Sequence, residues 1–205
     1  MQKREVKAVF FDLDGVIIDS HDLWYFILNS TLAHYGLGKL PKEKFDKGFG
    51  NAVENDVNTI YKGRASIKEI KKMYELLFRK HIDKTATFED SVPVLKIIID
   101  KNLKIALISN SPRRIVEIIL NRLKLKKYFD VVITMDEVKK GKPAPDSLLL
   151  ALKKLKLKAK EVIFIGDTSN DINAGKNARI FTIGYKIRGN HKINRLKEIL
   201  DIIKN

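Results

Sequence analysis

Five short apolar runs recur along this chain, at residues 6–11, 103–109, 131–134, 162–166 and 179–183. They show almost no polar alternation. A strand with one wet face alternates apolar and polar residues. A strand covered on both faces reads as a continuous apolar run, which is the signature of a parallel sheet. The segments between them have helical spacing. In SPRRIVEIILNRLK, Ser111 is placed to cap, Pro112 falls at the first helical position, and Ile115, Ile118, Ile119 and Leu123 share a face. In PDSLLLALKKLK, Leu148, Leu149, Leu152 and Leu155 share another. Strands alternating with helices through right-handed crossovers build an α/β fold, here a Rossmann-like parallel sheet with helices on both faces.

Residues 21–88 break this rhythm, and no strand is expected there. DLWYFILNSTLAHYG and SIKEIKKMYELLFRKHI have amphipathic helical patterns. The stretch between them is punctuated by Pro41, Gly48 and Gly50. The expected organisation is an α/β core of residues 1–20 and 89–205, with a small helical domain, residues 21–88, inserted after the first strand. The 205 residues suffice for such a pair, and an apolar fraction of 44% supports a packed core.

In an open parallel sheet, ligands bind beyond the carboxyl ends of the strands. Asp12 stands at such an end, with Asp14 two residues on. Asp167 closes VIFIGD, and Asp171 follows one helical turn later. Ser109 and Asn110 close LKIALISN, and Lys142 stands in GKPAPD after the third run. Four carboxylates, a hydroxyl and an ammonium therefore converge on one sheet edge. Carboxylates cluster only with a compensating cation. An all-oxygen ligand set suits Mg²⁺, which favours a few carboxylates, waters and substrate phosphate. Lys142 adds a second positive charge, and backbone amides at Asn110 and the following helix start can hold an anion. Metal, ammonium and amides together describe a phosphate site. With no cysteine and no Gly-x-Ser-x-Gly elbow in the chain, the remaining nucleophile is a carboxylate, which can form an aspartyl-phosphate.

The motifs DLDGV, SNSP, GKPAPD and GDTSND run in order over nearly the whole chain. Together they resemble the four motifs of the haloacid dehalogenase (HAD) superfamily. The helical insert resembles the type I cap of the phosphoglycolate-phosphatase-like and β-phosphoglucomutase-like branch. The resemblance implies a HAD fold in which the GDTSND strand neighbours the first. It also implies roles. Asp12 resembles the nucleophile that takes the phosphoryl group. Asp14 resembles the general acid toward the leaving oxygen and then the base toward water, its backbone carbonyl also ligating the metal. Ser109 and Lys142 resemble phosphate anchors, with the Asn110 amide beside them. Asp167, with Asp12, resembles a Mg²⁺ ligand. Asp171 resembles a supporting carboxylate that orients Lys142 or a water on the metal. The implied function is a Mg²⁺-dependent phosphatase, a HAD-type phosphoric monoester hydrolase. Its substrate would be a small phosphorylated metabolite, such as a phosphoglycolate-like acid or a sugar phosphate. A phosphomutase of the β-phosphoglucomutase type shares every core motif. A dehalogenase needs neither the second aspartate nor a metal, so Asp14 counts against it.

A different class, a non-catalytic binder of nucleic acid or another polyanion, is suggested by the formal net charge of +15. The lysines, however, are spread along helical segments such as ALKKLKLKAKE, on solvated faces, and no RNA-binding or zinc-finger pattern accompanies them. Weak adhesion at low salt is expected, without specific nucleic-acid binding. No apolar run approaches the roughly 18 residues that span a bilayer. The apolar stretch after MQKREVK lacks a small-residue cleavage site. The absence of cysteine excludes disulfides, thiolate catalysis and cysteine-ligated zinc. A cytoplasmic enzyme without a membrane partner, a monomer or weak homodimer, is the expectation. Asp19 and Ser20 read as shaping the turn into the insert, and His21 as a partly exposed helix-start residue. Trp24, Tyr25 and Phe26 read as packing. The KGFGN segment, residues 47–51, reads either as a helix connection or as a loop reaching the site.

Overall fold

The computed structural model describes residues 5–203; the outermost parts of the expected core, residues 1–4 and 204–205, lie outside the described residues. Strand β1 (Ala8–Phe11) leads through a two-residue strand β2 (Ile18–Asp19) into helices α1 (His21–His34), α2 (Lys42–Gly48), α3 (Val53–Thr59) and α4 (Ile67–His81). A second two-residue strand, β3 (Ala86–Thr87), returns antiparallel to β2. From there helices and strands alternate: α5 (Ser91–Asp100), β4 (Lys104–Ile108), α6 (Arg113–Arg122), β5 (Val131–Ile133), α7 (Asp146–Leu155), β6 (Val162–Gly166), α8 (Ser169–Asn177) and β7 (Phe181–Tyr185). A short β8 (His191–Ile193) and a one-turn α9 (Ile199–Ile202) close the described chain.

Six strands form one parallel sheet in the order β5-β4-β1-β6-β7-β8. The uniform apolar character of the strands follows from burial on both faces, and their period of two divides them between two clusters. Val9, Phe11, Ile105, Leu107, Ile163 and Ile165 face the cluster that holds Leu95 and Ile98 of α5 and Ile115 and Ile119 of α6. Ala8, Phe10, Ala106, Ile108 and Phe164 face the cluster of Leu148 and Leu152 from α7 and Ala174 from α8. Phe10 and Phe11 are both fully buried, on opposite faces; each such side chain contributes about 2–3 kcal/mol of transfer free energy. β1 lies in the middle because it pairs in register with both β4 and β6, so Phe11 stands opposite Leu107 on one side and Ile165 on the other. The carboxyl ends of β1, β4 and β6 thus open together at the point where the chain reverses its strand order, the usual ligand position of an open α/β sheet.

Four details differ from expectation. The run at 179–183 becomes a strand two residues later, because Arg179 takes a left-handed φ of 58° in the turn leaving α8. β8 has no apolar run, since two of its three residues are exposed beside β7. Residues 86–87, inside the segment expected to lack strands, pair with β2 and tie together the entry and exit of the helical insert. On α7, Leu149 is 47% exposed and faces away from Leu148 and Leu152.

The insert is helical as expected. Ser66 caps α4 and Glu69 closes the reciprocal capping box. Ile70, Tyr74 and Phe78, spaced four apart, form the buried face of α4. Trp24 of α1 packs edge-on against Tyr74 and Phe78, with ring centroids 5.5 and 4.6 Å away.

Candidate active site

Asp12 is the first residue beyond β1, held there by its backbone N–H, which donates to the Ile165 carbonyl of β6 (2.9 Å). Lys142 reaches it from the loop after β5, and the ammonium donates to Asp12 Oδ1 and Asp171 Oδ1, both at 2.6 Å. All three side chains are almost inaccessible to water. Asp171 lies in the first turn of α8. Its Oδ2 accepts from the Thr168 hydroxyl (2.5 Å) and amide (3.0 Å), so one carboxylate caps the helix and orients the lysine. Gly166 makes this approach possible: a Cβ there would lie 2.1 Å from the Asp171 Cβ.

Asp14 is held by three donors. Its Oδ1 accepts from the Ser20 hydroxyl (2.6 Å) and from Trp24 Nε1 (2.8 Å), and its Oδ2 accepts from the Ser111 hydroxyl (3.0 Å). Asp12 and Asp14 line the same cleft, together with Ser109, Asn110 and Lys142. The Asn110 side chain is fully engaged. Its amide donates to the carbonyls of Lys142 and Gly50, both at 2.9 Å, and its oxygen accepts from the Lys142 amide (2.8 Å). That clip fixes the lysine backbone and leaves the Asn110 backbone N–H outside the described hydrogen bonds. Ser109 Oγ accepts from the Ser111 amide (3.0 Å) and is buried.

A family model for haloacid dehalogenase-like hydrolases matches residues 9–185. The chain belongs to the haloacid dehalogenase-like hydrolases. It is therefore an enzyme, and relatives carry phosphatase names, in line with the phosphoric monoester hydrolase expected from the motifs. A protein named pyrophosphatase PpaX from Halalkalibacterium halodurans is 28% identical over 97% of each chain. One named phosphorylated carbohydrates phosphatase from Thermotoga maritima is 29% identical over 96% of this chain and 91% of its own. Among solved structures, one described as a predicted phosphoglycolate phosphatase from Haemophilus somnus superimposes with a TM-score of 0.85 at 20% identity, covering 98% of this chain and 99% of that one. CbbY from Rhodobacter sphaeroides, in complex with phosphate, gives 0.83 at 18% identity over 95% and 96%. These two structures establish the shared fold. Among the described residues, no helix is long and apolar enough to cross a membrane.

The residues of this HAD-like hydrolase fit a hard divalent cation. Oxygens of Asp12, Asp167 and Asp171 lie within 4.8 Å of one another. Asp167 Oδ1 is buried with no hydrogen-bond partner among the described residues. Burial pushes the Asp167 carboxyl up to about 7, Asp171 adding to the rise and Lys142 opposing it. Burial also holds Asp12 well above the usual carboxylate range. Lys142 pulls it back, while Asp171, Asp167 and Asp14 push it further up. For Lys142, burial disfavours the charge, but the Asp12 and Asp171 carboxylates outweigh it and raise its pKa. Four carboxyls thus meet one ammonium, and a cation bound by oxygen would supply both the missing charge and the partner of Asp167. Gly15, at φ +81°, keeps this corner open, because a Cβ there would sit 2.0 Å from Asp167 Oδ2.

Sequence reasoning missed the shell around Asp14. Ser20, read as a turn residue, and Trp24, read as packing, both donate to Asp14, although Trp24 packs on α4 as well. Ser111 does not cap α6; Pro112 occupies that position and the serine hydroxyl turns to Asp14. KGFGN reaches the site. Gly50 receives the Asn110 amide, Asn51 Oδ1 accepts from Asn170 Nδ2 (2.9 Å), and residues 48–51 line the cleft. His21 starts α1, is partly exposed and packs between Phe45 and Phe49. The opposite wall contains Asp56 of α3, whose carboxyl burial pushes up to about 7, with a smaller push from Glu54. Because this folded pKa is raised, the stability it contributes is full below the ordinary carboxylate range and is lost as pH rises through about 7. Asp56→Asn should accordingly stabilise the protein by about 1–3 kcal/mol more at pH 8 than at pH 5. Urea unfolding of both proteins at the two pH values measures this, and an unchanged difference refutes it.

Proposed function

We propose that this hydrolase is a Mg²⁺-dependent phosphatase acting on a small phosphorylated metabolite, with Asp12 as nucleophile. The observation that carries the reading is Lys142 gripping Asp12 Oδ1 and Asp171 at 2.6 Å, with Asp12 facing the cleft. Asp12 Oδ2 takes part in none of the described hydrogen bonds and is the oxygen free to attack phosphorus. As the Asp12–phosphorus bond forms, the bond from phosphorus to the ester oxygen breaks and Asp14 gives that oxygen a proton. Water then attacks phosphorus, Asp14 takes its proton, and the bond to Asp12 breaks to release phosphate. Oδ2 of Asp14 is the oxygen suited to carry this proton. Its partner Ser111 can turn its hydroxyl to accept, whereas the Trp24 N–H on Oδ1 only donates. Asp12 and Asp167 side chains, with the Asp14 backbone carbonyl, would hold the cation, with Asp171 in support. When bound, the cation neutralises charge on the phosphoryl oxygens. Lys142, Ser109 and the Asn110 amide would anchor the phosphate. Residues 21–88 act as a cap on the core of residues 5–20 and 89–203. The relatives' names, a pyrophosphatase and a carbohydrate phosphatase, support phosphate release as the chemistry.

The test is phosphate release from a panel of monoesters, combined with borohydride reduction during turnover. Reduction of an acyl phosphate converts residue 12 to homoserine, which peptide mass spectrometry reads directly. Turnover with reduction at another residue, or no turnover of any ester, refutes the reading. Asp14→Asn should slow esters of poor leaving groups by about 10²–10³-fold and activated aryl esters less. Because Asp14 also serves the common dephosphorylation step, the comparison is made in kcat/KM, and equal slowing of kcat/KM for both would remove the acid role.

A further inference from the structure

Beyond the phosphate end, the cleft is lined mainly by hydrocarbon and aromatic side chains, among them Leu28, Phe45, Phe49, Val53 and Tyr74. One carboxyl interrupts this wall. The Asp56 side chain has no described hydrogen bond or ion pair, although the residue is mostly buried. None of the described hydrogen bonds brings a neighbouring hydroxyl to it; those of Tyr61 and Tyr74 bond each other at 2.7 Å. A partly buried carboxyl without a described partner is costly, and its place on the wall of the candidate cleft makes it a candidate recognition group. Lys44 also lines the cleft but is exposed, where solvent weakens its pull on an anion.

Resting on the phosphatase reading above, we propose that this cleft selects phosphate esters whose alcohol part is a short hydrocarbon chain ending in a hydrogen-bond donor, ammonium or hydroxyl, received by Asp56. Such a chain lies against the apolar wall, and its donor supplies the partner the carboxyl lacks. An ammonium gains further from the aromatic faces of Phe45, Phe49 and Tyr74. A second anion at that end, as in phosphoglycolate or pyrophosphate, meets a carboxyl in a poorly solvated wall and is disfavoured. The selectivity therefore runs against the substrate named for the pyrophosphatase relatives.

The experiment is kcat/KM at about pH 8, where Asp56 is ionised, for straight-chain phosphates of two, three and four carbons ending in ammonium, hydroxyl, methyl or carboxylate. At the length that spans the cleft, ammonium and hydroxyl should exceed methyl by about tenfold or more, and carboxylate should fall below methyl. Asp56→Ala should bring the four end groups within about threefold. Asp56→Asn, which still accepts a hydrogen bond but carries no charge, should keep the hydroxyl advantage and lose that of ammonium. Carboxylate esters preferred at every length, or ratios unchanged in Asp56→Ala, overturn the proposal. If the variants do not fold, the wild-type ranking alone decides it. Hydrolysis of every ester without ranking overturns this selectivity only, whereas hydrolysis of none overturns the phosphatase reading and this proposal with it.

Discussion

Asp12→Asn is expected to lower kcat by about 10⁴-fold or more while leaving the protein folded. An amide oxygen is a far poorer nucleophile than a carboxylate, and no other side chain in the cleft is placed to replace it. Ser109 and Ser111 carry hydroxyls, but Ser109 Oγ accepts from the Ser111 amide and Ser111 Oγ is given to Asp14. Ser109 has no carboxylate among its described partners, and the Asp14 carboxylate that Ser111 bonds is committed to the leaving oxygen and the water, with Ser20 and Trp24 also bonded to it. The fold should survive because the substitution keeps the shape of residue 12 and removes one of four crowded carboxyls. Lys142 retains Asp171 at 2.6 Å as its counter-charge. Melting temperature should therefore stay within a few degrees of wild type, and inorganic phosphate should still bind through Lys142 and the Asn110 amide. Steady-state kinetics, thermal unfolding and phosphate titration check the three parts. Turnover within tenfold of wild type would remove the aspartyl-phosphate route.

What the sequence revealed and what it hid have physical reasons. The strands were legible because burial on both faces writes a run such as VIFIG directly into the chain. The candidate edge was legible because Asp12, Asp14 and Asp167 stand at or just beyond strand ends, with Lys142 and Asp171 in the segments that follow strands, and four acids near one lysine have no ordinary structural use. β2, β3 and β8 were not legible, since two or three residues are too few to show a period. The donors around Asp14 were hidden for another reason. Serine and tryptophan at the start of a helix are common as turn and packing residues. Only the fold brings Ser20 and Trp24, at the start of α1, and Ser111, before α6, to one carboxylate from two separate segments. The second serine of SNSP was the best available signal, because a helix whose cap position is taken by proline leaves the preceding hydroxyl free for other work. Asp56 carried no signal at all. It sits in VENDVNT among other polar residues, and only the three-dimensional placement shows it facing an apolar cleft.

Removal of divalent metal is expected to abolish turnover, by about 10³-fold or more, with full recovery on adding Mg²⁺. The argument is one of charge. Asp12, Asp14, Asp167 and Asp171 share one ammonium, and a phosphoryl group brings further negative charge into the same small volume. Without a cation, burial and the acidic neighbours of Asp12 raise its pKa well above the usual carboxylate range against the pull of Lys142, which disfavours the ionised, attacking form. A phosphate dianion would then be repelled by whatever fraction is ionised. All the side chains available as ligands offer oxygen, and neither histidine nor cysteine stands among them, so Mg²⁺ is favoured over zinc. Ca²⁺ should bind the same oxygens yet fail to support the reaction, because its looser and higher coordination does not hold Asp12 in line with the breaking bond. Binding has a readout independent of activity: Mg²⁺ at about 100 times its dissociation constant should stabilise the fold by about 2.7 kcal/mol, visible as a rise in melting temperature. Asp167→Asn should lose most of that rise, since the buried oxygen without a partner is the one a cation would satisfy. Undiminished activity in excess chelator, with elemental analysis finding no bound metal, would dismiss the metal requirement; a melting temperature indifferent to Mg²⁺ in the wild type would dismiss the proposed ligand set.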